Sequence, residues 1–205
     1  AVVTLLRQRM DVTSIVGNDD QKTLQAPEKL EKWNQRKDPR KVRAFVWAYQ
    51  QLSETNRAYL GSLPEQRELA VAGWRILLAH GSPASINEHL FADTPEERMR
   101  ELAGMTSAKI IVTGHSHQAF TRQVGDTCFL NPGSVGRPDD GDPRAAYAVL
   151  TLETDRCDCE HFRVAYDVER AARAILDHNL PPEFAEMIRQ GRSLDAVEDG
   201  ADPLE

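Results

Sequence analysis

Apolar positions near the start of the chain change from helical to strand-like spacing. Residues 2–10 place their apolar side chains at helical intervals, whereas residues 11–16 are rich in β-branched residues and end at Gly17. This pattern predicts a helix, a strand and then a loop, as in a βαβ repeat entered part-way. The same helical spacing predicts three later helices, over residues 95–105, from Asp167 through Leu176, and from Pro181 through Ile188.

Short apolar runs typical of strands make up the middle of the chain. Two of these runs, 68–72 and 75–79, lie on either side of the turn residue Gly73 and predict a hairpin. The runs at 120–124 and 127–130 flank Gly125-Asp126, a strong signal for a two-residue hairpin. Further strands are predicted over 109–113, 145–152 and 159–164.

Residues 28–63 have a different composition from the chain around them. A run of basic residues from Lys29 to Arg43 is interleaved with a few acidic ones, with aromatic residues in or beside this run. Ser53 then begins another helix, which ends before Pro64. We interpret residues 28–63 as a helical insert, which is either a cap over the functional site or an ordinary solvated helical face.

Length and charge limit the organisation and the partners of the protein. A chain of 205 residues suits one domain, or one domain with a small insert, and we assign it to residues 1–190. The acidic residues 191–205 are short of apolar side chains and are predicted to be disordered. A net charge of −7 argues against stable nucleic-acid binding. It still permits a small phosphate substrate, because bound metal ions can supply positive charge.

Cysteine usage and hydropathy favour the cytoplasm. The three cysteines are an odd number without disulfide-framework spacing, and reduced thiols are typical of that compartment. The first residues lack the pattern of a signal peptide. No apolar run approaches the roughly 20 residues that a membrane span needs, so no membrane partner is expected.

Four short polar motifs each follow an apolar run that predicts a buried strand. They are Gly17-Asn18-Asp19-Asp20, His80-Gly81, Gly114-His115-Ser116-His117 and 131–136. Each motif is therefore expected on a loop at a strand end, where such loops converge on a ligand. Their amide, imidazole and carboxylate groups together point to metal-assisted chemistry on a phosphate ester.

The histidines of these motifs are candidate metal ligands. His115 and His117 would project to the same side of an extended segment, and each can offer a neutral ring nitrogen. His80 follows an apolar strand in the same way, and the amide oxygen of Asn18 is a hard ligand for divalent cations. Each motif alone also fits a structural histidine or a plain turn. Three such loops after three predicted strands favour a site.

Other polar residues receive weaker assignments. Arg137 is a candidate for binding phosphate, and the loop from Asn131 to Ser134 would approach an anion with its amides and hydroxyl. His89, His161 and His178 lack the context of a strand end and are predicted to be structural or exposed.

With these motifs in this order, the chain resembles the calcineurin-like metallophosphoesterase superfamily, and most of all its small bacterial phosphodiesterase and diadenosine-tetraphosphatase-like branch. The resemblance implies an α/β fold, a four-layer αββα sandwich with two divalent ions, manganese first, with iron, zinc or nickel as alternatives. It implies that Asn18, His80 and His115 bind one ion and that His117 binds the other. A metal-bound hydroxide would then attack a phosphate mono- or diester, a nucleotide among the candidates.

The resemblance also assigns chemistry to individual residues. His115 and Asp19 are the catalytic candidates, and Asn18 and Arg137 are the substrate-binding candidates. Many members of the family have a histidine at the position of Asp19, where it acts as general acid. A carboxyl group fills that role only in its protonated form.

Besides Asp19, the chain differs from the family's pattern at its start. The family's Asp-x-His and Gly-Asp motifs do not occur in the 16 residues before Gly17. A βαβ unit of roughly 30 residues would carry them, so we expect this sequence to hold half of the two-metal site. The leading hypothesis is a metal-dependent phosphoesterase. The alternatives are a degenerate, non-catalytic member of the family that binds or scaffolds, and a mononuclear site.

Overall fold

The computed structural model describes residues 1–198, which form two compact units. The first unit is residues 1–67, and the second contains the described residues from Glu68 onward. The first unit is helical, with α1 at Val2–Gln8, α2 at Asn18–Asn34, α3 at Pro39–Gln51 and α4 at Glu54–Ser62.

Helices α2 and α3 pack together through aromatic and aliphatic side chains. Trp33 is buried with Ala26 and Val42, and its ring lies 5.8 Å from that of Phe45. The Asp38 carboxylate begins α3 by accepting a hydrogen bond from Arg40 N at 2.8 Å. Aromatic residues of the predicted insert therefore form a small core, and the basic residues around them are mostly exposed.

The structure corrects two expectations for this unit. Residues 11–16 are not a strand, because β-branched residues stabilise a strand only when another strand pairs with it, and none of the described strands does. Asn18, Asp19 and Asp20 are not on a loop but form the first turn of α2. The Asp20 carboxylate accepts a hydrogen bond from Gly17 N at 2.8 Å, which satisfies a backbone donor at the helix start.

The second unit contains most of the strands and the remaining helices. Its strands are β1 at Gln66–Val71, β2 at Trp74–Ala79, β3 at Ile110–Val112, β4 at Phe120–Val124, β5 at Thr127–Asn131, β6 at Ala145–Leu152 and β7 at Cys157–Val164. Its helices are α5 at Glu96–Ala103, α6 at Val168–Asp177, α7 at Pro182–Gln190 and α8 at Leu194–Glu198. Five strands form one sheet in the order β1-β2-β3-β5-β4, and β6 and β7 form an antiparallel pair.

Parallel pairing at the centre of the larger sheet brings the loops together. Strands β2, β3 and β5 run parallel, with Leu78 opposite Val112 and Val112 opposite Leu130. The residues that follow these three strands therefore leave the sheet at one edge, as ligand-binding loops of α/β proteins do. His80, Gly114 and Pro132 are each two residues beyond this row.

The core of this unit lies against the short central strand. Ile110 and Ile111 are fully buried, and Phe129 of β5 packs with Leu90 and Met99 beside them. A sheet flanked by helices confirms the predicted α/β class.

The last helix lies in a segment that the sequence predicts to be disordered. Helix α8 covers Leu194–Glu198, and Leu194 is buried. Residues 199–205, the rest of that predicted disordered segment, lie outside the described residues. Across residues 1–198, no helix combines the length and the apolar character that crossing a bilayer requires.

Candidate functional site

The loops after β2 and β3 are joined directly through their backbones. Gly114 N donates a hydrogen bond to His80 O at 2.8 Å. Gly81 fits tightly, since a Cβ atom there would lie 2.7 Å from Ile86 O and 2.8 Å from Glu88 O. The chain can therefore turn sharply after His80 only with glycine at this position.

The two histidines after β3 sit on strained backbone. His115 has φ of 63° and His117 has φ of 57°, in the left-handed region that non-glycine residues seldom adopt. Ser116 N donates to Gly114 O at 2.7 Å, which closes a tight turn. Such strain costs about 1–3 kcal/mol per residue and is concentrated at functional sites. The turn corrects the expectation of an extended segment, and the two rings have different surroundings.

His115 lies among two other imidazoles. Its ring centroid is 4.9 Å from that of His80 and 3.9 Å from that of His89. His115 Nε2 is 3.2 Å from Asn87 O, and because a carbonyl only accepts, Nε2 carries the proton and Nδ1 has the lone pair. Burial, reinforced by His89 and His80, lowers the pKa of His115 to about 4. His115 is therefore neutral at pH 7, as a metal ligand must be.

His117 lies instead beside an arginine and an aspartate. Arg137 Nε is 3.1 Å from His117 Nδ1, and Asp139 Oδ2 is 3.5 Å from the same nitrogen. Arg137 and Asp139 also pair with each other at 3.0 Å. Burial acts to raise the pKa of Asp139, but the hydrogen bond to His117 and the charge of Arg137 lower it overall. The other carboxylate oxygen, Asp139 Oδ1, is buried without a hydrogen-bond partner.

Asn131 clamps the histidine turn to the end of β5. Its fully buried side-chain nitrogen donates to Gly114 O at 2.7 Å and to Ser116 Oγ at 2.9 Å. Its side-chain oxygen accepts from Gly133 N at 2.9 Å. Ser134 Oγ accepts from Arg137 N at 3.0 Å, so the loop after β5 braces Arg137.

A partly exposed ion pair supports the loop between His80 and His89. Glu88 accepts hydrogen bonds from Arg98 Nε at 2.8 Å and Nη2 at 3.1 Å, and a further one from the Ser82 hydroxyl. The hydrogen bond from Arg98 is the main cause of the lowered pKa of Glu88. This pair braces the loop that carries His89 and the carbonyl of Asn87.

The chemistry of these donors fits a divalent cation. His115 is neutral with an available ring nitrogen, the His80 ring is next to it, and Asp139 Oδ1 is a buried acceptor beside His117. The number of donors is smaller than a complete site requires: among residues 1–198, no three His, Cys, Asp or Glu side chains are grouped to hold one ion. The second unit thus offers candidate metal ligands in pairs: His80 beside His115, and His117 beside Asp139.

Asn18 and Asp19 belong to the first unit. Both lie in the first turn of α2, where Asp19 Oδ1 pairs with Lys22 Nζ at 2.8 Å. The ligand and catalytic roles of these two residues stay predictions. In the second unit, the structure brings His80 and His115 together and places Arg137 against His117.

Sequence reasoning missed three residues of this site. His89 is predicted to be structural or exposed, and its ring is indeed exposed, but it also contacts the His115 ring, with the centroids 3.9 Å apart and the planes tilted by 31°. Asn87 acts through its backbone, which no side-chain pattern can reveal. Asp139 lies two residues after Arg137 in an acidic stretch, and its burial is visible only in three dimensions. The structural role predicted for His161 agrees with its hydrogen bond, Nε2 to Asn131 O at 3.0 Å.

Known proteins share this fold and sequence pattern. An uncharacterised protein of Methanocaldococcus jannaschii is 28% identical over 207 residues, which cover 93% of this chain and 79% of that protein. A crystal structure of a hypothetical protein from Pyrococcus horikoshii aligns with a TM-score of 0.81 at 17% identity, covering 94% of this chain and 78% of the other. A metallophosphoesterase from Sphaerobacter thermophilus aligns with a TM-score of 0.71 at 23% identity, covering 92% and 80%.

The two solved structures establish the likeness of fold. The model of the calcineurin-like phosphoesterase superfamily domain matches residues 1–155, which include the histidine motifs and the loop after β5. The chain belongs to the calcineurin-like phosphoesterase superfamily.

Proposed function

We propose that this protein is a metal-dependent hydrolase of a small phosphate mono- or diester. The observation that carries the proposal is the pairing of His80 and His115, whose rings lie 4.9 Å apart at the ends of adjacent parallel strands. Membership of a phosphoesterase family supports it. Divalent metal binding is typical of that family.

The residues of the second unit have distinct tasks in this proposal. His80 and His115 would hold one ion, and His117 would hold another. Bound divalent ions lower the pKa of water and offset the negative charge of a phosphate ester. The Arg137 guanidinium matches a phosphoryl group in charge and in hydrogen-bond geometry. Asn131 and the pair Glu88–Arg98 keep these loops in place.

Several finer assignments are part of the same proposal. Manganese is the first candidate ion, with iron, zinc and nickel as alternatives, because imidazole ligands suit many first-row metals and availability decides among them. The substrate is a small phosphate mono- or diester, with a nucleotide among the candidates, as in the phosphodiesterase and diadenosine-tetraphosphatase-like branch. Cytoplasmic location and weak affinity for nucleic acid stay predictions.

One observation favours a second candidate function. Because no three metal-binding side chains are grouped within residues 1–198, the chain also fits a non-catalytic family member that binds a partner. Metal dependence of turnover separates the two candidates. A binding module would bind its partner without hydrolysing any ester.

The test uses the purified chain after chelation and after reloading with Mn²⁺. Hydrolysis of bis-p-nitrophenyl phosphate and p-nitrophenyl phosphate is followed for the wild type, His80→Ala and His115→Ala, with His178→Ala at the end of α6 as the matched control. We expect activity only with metal, loss of activity in the first two variants and full activity in the control. The enzyme proposal fails if the metal-loaded wild type has no activity, or if all three variants lose it equally.

A further inference from the structure

His117 Nδ1 has two neighbours with opposite hydrogen-bonding roles, one a donor and the other an acceptor. Arg137 Nε lies 3.1 Å away and can only donate, since a guanidinium stays protonated. Asp139 Oδ2 lies 3.5 Å away and, as a carboxylate, can only accept. A neutral imidazole cannot satisfy both at one nitrogen, because Nδ1 has either a lone pair or a proton.

The shorter contact, from Arg137, favours one of the two tautomers of a neutral His117. With Nδ1 accepting from Arg137, the proton lies on Nε2, and Nε2 has no lone pair for a metal. The alternative form has the proton on Nδ1, directed to Asp139, and a lone pair on Nε2. A carboxylate that accepts from the far nitrogen of a metal-bound histidine is a common support for such ligands.

Asp139 is positioned to accept a hydrogen bond from the alternative, Nδ1–H form of His117. Its side chain is only 12% exposed, whereas that of Arg137 is 44% exposed. Asp139 N donates to His117 O at 3.3 Å, and Gln118 Nε2 donates to Asp139 O at 3.2 Å, so its backbone is tied to the histidine turn. Asp139 is therefore the fixed neighbour of His117, and Arg137 is the neighbour with room to move.

We propose that Asp139 is a positioning residue that selects the metal-binding tautomer of His117, and that Arg137 holds the opposite tautomer until it is released. The change moves one proton from Nε2 to Nδ1 by way of solvent and leaves the charge of the ring unchanged. Arg137 then has its guanidinium available for a phosphoryl oxygen. This last step rests on the proposed function, whereas the tautomer change does not.

Two variants of the contact have opposite expected effects. Arg137→Ala removes the donor, so the Nδ1–H form becomes the main form and affinity for metal at His117 rises several-fold. Asp139→Asn removes the charged acceptor, so affinity for metal falls by about 10–100-fold, as is usual when a supporting group behind a metal ligand is lost. A purely structural role would make both variants weaken binding.

A matched control lies in the same segment. Arg144 and Asp142 are also an arginine–aspartate pair two residues apart, joined at 2.6 Å, and within residues 1–198 the Asp142 carboxylate pairs with Arg144 and Arg163 and with no histidine. Asp142→Asn should leave both the tautomer of His117 and the affinity for metal unchanged.

The experiment measures the tautomer first, without metal or substrate. Long-range ¹H–¹⁵N spectra of protein with ¹⁵N-labelled histidine show which nitrogen of His117 is protonated in the wild type and the three variants. Calorimetric titration with Zn²⁺ then gives the affinities. The expected result is Nε2–H in the wild type, Nδ1–H in Arg137→Ala, and loss of Zn²⁺ affinity in Asp139→Asn alone.

Three results would overturn the proposal: Nδ1–H in the metal-free wild type, Zn²⁺ bound at Nδ1, or an Asp139→Asn affinity equal to that of Asp142→Asn. Ester hydrolysis is measured separately. Absence of turnover together with the expected tautomers and affinities would contradict the proposed function and leave the tautomer selection standing. Normal turnover together with the same His117 tautomer in all variants would contradict the tautomer selection and leave the proposed function standing.

Discussion

The side-chain nitrogen of Asn131 lies 2.9 Å from Ser116 Oγ, deep between the loops after β3 and β5. The same nitrogen is 2.7 Å from Gly114 O, and the Asn131 side chain is fully buried. One amide group thus holds the backbone turn that presents His115 and His117. Because that turn is strained, the clamp and the site are energetically coupled.

Replacing Asn131 should therefore destabilise the protein. Asn131→Ala leaves Gly114 O and Ser116 Oγ buried without this donor, which costs about 1–3 kcal/mol for an unsatisfied buried group. Urea denaturation measures the loss. Asn87→Ala is the control, because Asn87 is exposed and its contact with His115 uses the backbone carbonyl. Equal stabilities of the two variants would show that Asn131 is not a clamp.

The turn after His80 should tolerate no side chain at Gly81. Gly81→Ala places a methyl group 2.7 Å from Ile86 O and 2.8 Å from Glu88 O, and backbone atoms cannot rotate away. We expect a loss of about 1–3 kcal/mol in the free energy of unfolding, as for other overpacked positions. Gly136→Ala, where a Cβ meets no atom within 4 Å, is the matched control. A stable Gly81→Ala variant would contradict this packing.

The contact between the rings of His89 and His115 should affect metal binding by restricting the orientation of His115. The rings lie 3.9 Å apart, so His89 restricts the rotation of His115. The sequence alone predicts little effect of His89→Ala, but from the structure we expect about tenfold weaker Zn²⁺ binding, at the low end for groups that support a ligand. His89→Phe keeps an aromatic ring and should retain the affinity. If the two variants lose affinity equally in calorimetry, a ring nitrogen of His89 is responsible.

The thiol of Cys128 should react slowly until the solution is strongly alkaline. Burial, with smaller contributions from Cys157 and Cys159, raises the pKa of Cys128 to about 11. The thiolate is the reactive form, and at pH 8 only about one molecule in a thousand carries it at any moment, so the reaction is slow. Alkylation by iodoacetamide, followed by mass spectrometry of the peptide that contains Cys128, should rise about tenfold per pH unit from pH 8 to pH 10. A rate that levels off below pH 9 would contradict this, and protein unfolded in urea shows the ordinary dependence.

Much of this architecture follows from local pattern. The hairpins around Gly73 and Gly125 and the helices α5, α6 and α7 are where the apolar spacing predicts them, because their turn residues and periodicities act over a few neighbours. The placement of His80 and His115 at strand ends is predictable for the same reason. The order of these motifs in the sequence also indicates the family, which the match over residues 1–155 confirms.

Residues 11–16 and 18–20 show where local pattern is insufficient. A β-rich run is a strand only with a partner strand, and an Asn-Asp-Asp sequence serves a helix start as well as a loop. For residues 11–16 the decisive factor is a pairing strand elsewhere in the chain, whereas for residues 18–20 it is the hydrogen bond from Gly17 N to the Asp20 carboxylate.

The sequence by itself determined which chemical groups are available, namely imidazoles after apolar strands and an arginine nearby. It also determined membership of a phosphoesterase family. Only the tertiary structure decided how they meet. Left-handed backbone at His115 and His117 directs one ring to His80 and His89 and the other to Arg137 and Asp139. The physical reason is that this strained backbone is held by the hydrogen bonds of Asn131, which join residues 15 and 17 positions apart in the chain.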